Sequence, residues 1–258
     1  MKPCLFCGAL ENSEEHVLSH SVWKRLGAGD AQLEAGVWDG VSVKEARKPH
    51  RQESYVTRAV CEGCNQGWMS NLEAAFLGAA GPLIEPEWPR LSDEFIAEAV
   101  RQGNVIASWA VKTAVTSNAA GVVQRPIHET IPRDLRAGNL PPGNFAVWIG
   151  HIRKPSVSIQ VDQGFDFEEA DGALTWKGPE SNYAFDAVFQ LNHLAIRAVH
   201  HPGLRLRYSN NTASMPVQSF PPARSAIVPG DYTFETLADF VGKLTVSQDG
   251  PQMVAGTP

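Results

Sequence analysis

Apolar and polar positions keep different rhythms in different stretches of this chain. Asn12-Ser13 followed by Glu14 and Glu15 predicts a capped helix running to about Leu26. Residues 27–60 carry Gly, Lys and Arg with only short, weakly patterned strands. A helix then opens near Cys64, where Trp68, Leu72 and Phe76 recur every four residues as a buried stripe, and Gly78 with Gly81-Pro82 ends it. Pro82, Pro86 and Pro89 mark a boundary. Beyond it Ser92 caps a helical stretch, with Phe95, Ile96, Ala99 and Val100 on one face. Ile106, Trp109, Ala110 and Val111 resume that face after Gly103-Asn104, which predicts a kink or two helices. From residue 145 the texture is that of strands: 145–149, 157–161, and an alternating run from Tyr183 to Leu191 with Leu194, Ile196 and Ala198 as its hairpin partner. Residues 234–244 read as a last amphipathic helix, and 248–258 as a disordered tail. The fold class expected is α+β: a unit over 1–81, then a helical and mostly antiparallel β unit over 82–247, with no internal repeat.

Length and composition narrow the class. A chain of 258 residues can bury a substantial core as one large domain or two small ones. No run approaches the roughly 18–20 apolar residues of a membrane helix, so no membrane partner is expected. Met-Lys-Pro-Cys does not resemble a secretion signal, which gives a reducing, cytoplasmic setting as the expectation. The net charge of −6 argues against a uniformly basic nucleic-acid coat but leaves room for local basic faces. Lys44, Arg47, Lys48, Arg51 and Arg58 form one such run against only Glu45 and Glu53. Arg197, His200, His201, Arg205 and Arg207 form another, and solvated surface is an equal reading of either.

The chain has four cysteines, in two Cys-x-x-Cys pairs: Cys4 with Cys7, and Cys61 with Cys64. Gly8 and Asn65 follow the pairs directly, as expected of two tight knuckles that each give two thiolates to one tetrahedral zinc. A thioredoxin-like redox role for one pair would leave the other unexplained. Polar residues crowd both knuckles: Glu14-Glu15-His16 after the first, Asn65 after the second. A structural zinc would thereby bring a carboxylate, an imidazole and an amide within reach of one another, the set that seats a hard divalent cation beside a base.

These residues resemble the zinc-bearing HNH endonucleases: a Cys-x-x-Cys knuckle, an acid-His pair, then Cys-x-x-Cys-Asn opening a helix. Glu-Glu-His-Val-Leu with Cys-Glu-Gly-Cys-Asn-Gln-Gly-Trp-Met-Ser-Asn-Leu-Glu is similar to a bacterial and phage HNH-like subgroup, over about the first eighty residues. The resemblance implies a ββα-metal, treble-clef-like module that hydrolyses DNA, or RNA. It implies His16 as general base, Glu15 and Asn65 as ligands of a catalytic Mg²⁺ or Mn²⁺, and Cys4, Cys7, Cys61 and Cys64 as ligands of structural Zn²⁺. Lys44, Arg47, Lys48, Arg51 and Arg58 would contact the phosphate backbone. The chain departs from the family pattern in four places. Glu15 stands where Asp is common and Ser19 where Pro is, Tyr55-Val-Thr-Arg58 lacks the usual middle Asn, and Gly67-Trp68 replaces a frequent Lys.

Each residue also has a plainer reading. Glu14 and Glu15 suit a first helical turn, His16 can hydrogen-bond around the zinc, Asn65 can cap a knuckle, and His16 with His20 can form a different site. The alternative function is a non-catalytic, zinc-stabilised module that binds nucleic acid or a protein. Trp68, Trp109 and Trp148 are expected in the core and His193, His200 and His201 at the surface. Nothing in residues 90–258 announces a nucleotide fold, a nucleophile elbow or a phosphate loop.

Overall fold

The computed structural model describes residues 2–28, 55–87, 101–121, 130–138, 144–163, 185–201 and 233–243, with the backbone of short strands within 32–51, 166–178, 204–219 and 254–255. The chain is α+β, and among the described residues the strand pairing is antiparallel but for one short parallel contact.

The first departure from the sequence pattern comes at once. Ser13–His16 is a strand, β1, and the helix α1 begins only at His20 and ends at Arg25. Ser19 caps it, accepting from the Val22 N–H at 3.3 Å. Asn12 and Ser13, expected as the cap, serve the second knuckle instead: Asn12 Oδ1 accepts from the Glu62 N–H at 2.8 Å, and Ser13 Oγ from the Asn65 amide at 2.7 Å. Cross-strand pairing overrides a good local helix signal. Four minimal strands follow: β2 (Gln32–Leu33), β3 (Val37–Trp38), β4 (Val43–Lys44) and β5 (His50–Arg51), paired β2 with β5 and β3 with β4. Next, β6 (Val56–Val60) runs antiparallel to β1, setting Glu15 opposite Thr57 and His16 opposite Val56.

The second knuckle opens the helical turn α2 (Glu62–Cys64), kinks at Gly67 (φ −92°, ψ −110°) within Asn65–Met69, and continues as α3 (Ser70–Ala80). The stripe expected along this helix splits its duty. Trp68 packs edge-on to Phe6 of the first knuckle, with ring centroids 5.1 Å apart. Phe76 stacks on Trp109, 3.9 Å away and nearly parallel. Trp109 lies on α4 (Gly103–Ala120), which is buried along most of its length. The helix starts at Gly103, and the expected Ser92-capped stretch lies outside the described residues. A short helix not foreseen in the sequence, α5 (Thr130–Arg136), packs on α4.

The rest is built on two long strands, β7 (Asn144–Gln163) and β10 (Phe185–His201), antiparallel from Phe185 opposite Gln163 to His201 opposite Asn144. The expected hairpin between Leu191 and Leu194 does not form; both halves lie on β10. The break in the alternation there is a bulge, with Asn192 at φ 51°. The Asn192 side chain explains the irregularity, because it donates to the carbonyls of Leu26 (3.0 Å) and Ile84 (2.8 Å). Beside it His193 is only 2 % exposed, not at the surface, with its ring nitrogens against the carbonyls of Ile152 and Pro86. A hairpin, β8 (Asp166–Ala170) with β9 (Ala173–Gly178), joins the long strands. After β11 (Leu204–Arg205), β12 (Met215–Ser219) pairs with β7, and β13 (Thr233–Phe234) joins β7 in parallel. A final helix, α6 (Leu237–Lys243), is capped by Thr236 and Asp239. Within 248–258, β14 (Val254–Ala255) pairs with β11. One apolar cluster runs from Cys4 and Phe6 through Phe76 and Trp109 to Phe189 and Ala198. Trp148 is buried, as expected.

Candidate functional site

The four cysteines meet. One sulfur from each of Cys4, Cys7, Cys61 and Cys64 lies within 4.8 Å of all the others, and Cys7 Sγ is 3.4 Å from Cys61 Sγ. A disulfide would bring two sulfurs to about 2 Å. A tetrahedron with metal–sulfur bonds of about 2.3 Å spaces them by roughly 3.8 Å, so four free thiols at these separations fit a zinc ion. The backbone prepares the first knuckle: Cys4 N–H donates to Ala9, the Gly8 N–H to Cys4, and Gly8 takes a left-handed φ of 75°. The Leu5 N–H then donates to Ala59 at the end of β6, which carries the first pair to the second.

The thiols are unequal. Burial pushes Cys64 up to about 12, with the Trp68 side chain partly opposing it. Burial also works against ionisation of Cys61, yet the backbone at Cys64 and the neighbouring thiols draw it down to about 7. The Trp68 indole N–H is buried without an oxygen or nitrogen acceptor, and a thiolate at Cys64 would give it a sulfur one. The donor set and this N–H both suit a cage of ionised sulfurs around a cation.

Beside the cage lies β1. Asn65, placed by Cys64, donates from Nδ2 to Ser13 Oγ and at 3.1 Å to the Glu14 carbonyl, so the second knuckle grips the strand directly. Successive side chains of a strand point to opposite sides. Glu14 is exposed and pairs with the exposed Arg58 at 2.6 Å, His16 is half-buried, and Glu15 turns inward. A shallow recess outside β1 is lined by Glu11, Asn12, Ser13, Glu14 and Arg58; His16 and Asn65 do not line it.

Inward, Glu15 meets an arrangement that sequence reasoning missed. Lys112 of α4, with no exposed surface, reaches Glu15 Oε1 at 3.1 Å and Glu73 Oε1 at 2.6 Å. Ser19 donates to the other oxygen of Glu73 at 3.0 Å. Burial opposes the charge on Lys112, but Glu73 and Glu15 outweigh it and hold the amine above its usual range. Burial raises the Glu15 carboxyl further than Lys112 lowers it. One ammonium against two carboxylates leaves an excess negative charge in the interior, and the charge of Glu73 adds to burial in raising Glu15. The signal for this cluster was a lone lysine in the apolar run 105–115. A buried ammonium needs a buried acid.

The raised Glu15 carboxyl favours the fold in acid, a contribution lost as pH climbs above the ordinary carboxylate range. Glu15→Gln does not titrate. Melting curves of variant and wild type should therefore differ increasingly in the variant's favour as pH rises above the ordinary carboxylate range. A trend in the opposite direction would show that Lys112, not burial, governs this carboxyl.

Of the residues singled out in the sequence, the cysteines converge, and Asn65 reaches the strand that carries His16. Glu15 and His16 face opposite ways, and the Glu15 carboxylate is already engaged. His20 is exposed on α1, apart from His16 on β1, and no ligand group other than the cysteines gathers among the described residues. Arg58 flanks Glu14. Lys44 and Arg51 are described as strand backbone only, and Arg47 and Lys48 lie outside the described residues. No helix among the described residues is long and apolar enough to cross a membrane. Compared with protein-family models, with curated proteins and with solved structures, the chain gives no match in any of the three.

Proposed function

We propose that this chain is a metal-dependent endonuclease of the HNH type, hydrolysing DNA phosphodiester bonds with His16 as the general base. The observation that supports it most is the grip of Asn65 on β1. Through it, a structural Zn²⁺ held by Cys4, Cys7, Cys61 and Cys64 ties the second knuckle to the strand ending in His16, in a ββα, treble-clef-like unit.

Hydrolysis of a phosphodiester needs a deprotonated water and neutralisation of the charge that grows on the phosphate and leaving oxygen. A half-buried imidazole at the end of β1 can take the water proton. Of the two acids before it, Glu14 shares the outward side, so Glu14 and Asn65 Oδ1 are assigned to the catalytic cation, while Glu15 holds Lys112. Mg²⁺ or Mn²⁺, when bound, supplies the neutralising charge at the scissile phosphate. Arg58, released from Glu14, would contact the backbone without reading sequence, as would the basic run from Lys44 to Arg51.

Nicking of supercoiled plasmid in Mg²⁺ or Mn²⁺ separates the two acids. Glu14→Gln should slow nicking by about 10²-fold with His16 as accessible as in wild type, whereas Glu15→Gln should slow nicking only as far as it makes His16 less accessible. Nicking lost in Glu15→Gln with His16 accessibility unchanged would return the cation to Glu15.

A second reading, a zinc-stabilised module that binds nucleic acid or a protein and does no chemistry, is favoured by one observation. The motif acid serves the interior through Lys112 and Glu73. It predicts DNA binding that weakens with salt, chelator-sensitive folding, and no turnover with any divalent ion.

A further inference from the structure

The strand that ends in His16 has the sequence Ser-Glu-Glu-His, without one apolar side chain. A strand with one buried face is ordinarily oriented by its hydrophobic positions, and a slip of one residue turns every side chain over. Within these four residues that determinant is missing, the nearest apolar anchor being Val17, buried two positions after Glu15, and the pairing with β6 is irregular between Ser13 and Glu15. Two neighbouring glutamates leave the choice open further, since either could face inward. The only cation beneath the strand among the described residues is Lys112, fully buried, bonded to Glu15 at 3.1 Å and held in place by Glu73. One turn further along α4, the Ser117 hydroxyl meets the Tyr55 hydroxyl at 2.5 Å, just before β6. Tyr55 in turn accepts from the Val17 N–H through its carbonyl, so α4 also fixes the far end of the hairpin.

We infer that Lys112 is a positioning residue: its buried ammonium selects Glu15 as the inward side chain of β1 and thereby turns His16 outward. Within β1 the facing is encoded by charge, which adds to the apolar anchor at Val17. The site is then not contained in the knuckle unit, because α4 from the downstream part of the chain sets it. Only the effect on cleavage rests on the nuclease reading; the orientation of β1 does not.

The test uses the full chain and the reactivity of His16 toward diethylpyrocarbonate, mapped residue by residue by mass spectrometry. His20, exposed at the start of α1, is the internal reference. Lys112→Met, with zinc content checked, should slow modification of His16 by about twofold or more relative to His20 as the strand loses its single facing. A triple variant, Glu15→Leu with Lys112→Met and Glu73→Gln, replaces the charge code by an apolar one and should restore His16 to wild-type reactivity. Unchanged reactivity in zinc-loaded Lys112→Met overturns the inference. If that single variant does not fold, the triple variant decides: wild-type His16 reactivity supports the inference, and slow modification or failure to fold overturns it. Plasmid nicking measured alongside separates the two proposals. Wild type inactive with every divalent ion defeats the nuclease reading alone, while the His16 chemistry still reports the strand.

Discussion

Removal of zinc by a strong chelator is expected to melt the N-terminal unit while the β7–β10 ribbon stays folded. Among the described residues the sulfurs alone hold the first knuckle to the second at their centre, and around them the links are the Trp68–Phe6 ring contact and single hydrogen bonds: Leu5 to Ala59, Asn12 to Glu62, Asn65 to Ser13 and Glu14. Structural zinc sites contribute about 10–16 kcal/mol of apparent binding energy, which becomes folding energy when the empty site does not persist. Four thiols at close quarters, three of them buried, lose their reason to stay together without a cation. Hydrogen exchange should show protection lost at β1, β6 and the Asn65 turn and kept in β7 and β10, where the pairing is extensive. Cys61→Ser should reproduce this at neutral pH with no chelator, and zinc content should fall from about one per chain to near zero. Protection at β1 indifferent to both treatments would mean that the apolar cluster around Phe6, Trp23 and Phe76 carries the unit unaided.

The second large effect is that of His16→Ala. The imidazole is half-buried on the outward side of β1, and no hydrogen bond to a described residue holds it. Truncating it should cost little stability: zinc content and melting temperature are expected to match wild type. A general base contributes typically 10²–10⁴-fold, so plasmid nicking should fall by about that factor. Reduced nicking with reduced zinc content would be a folding effect and no evidence for a base. Nicking that survives in a zinc-loaded variant removes His16 from the chemistry altogether.

Much of this architecture was legible in the sequence where one signal dominated. Two Cys-x-x-Cys pairs specify a cage almost regardless of context, and the four-residue spacing from Trp68 to Phe76 specifies a helix. The misreadings came where long-range partners outvote local preference. Asn12, Ser13, Glu14 and Glu15 make a good helix start, yet each has a better partner: Glu62, Asn65, Arg58 and Lys112 respectively. The facing of Glu15 depends on Lys112, 97 residues away in sequence. Local pattern carries no trace of such a separation, except for the oddity of a lysine among apolar neighbours. The break at Asn192, between Leu191 and Leu194, misled in the other direction. A polar residue between two apolar runs reads as a turn, but its amide is consumed by the Leu26 and Ile84 carbonyls and the strand continues through it.

The position of Lys112 in the chain has a bearing on biosynthesis. All four sulfurs and both acids have left the ribosome well before the lysine does. A nascent chain can therefore close its metal cage while Glu15 and Glu73 still sit in water, their charges cheaply hydrated. Only when the helix bearing the ammonium arrives can those carboxylates be dehydrated, which makes the seating of that helix a late step of maturation.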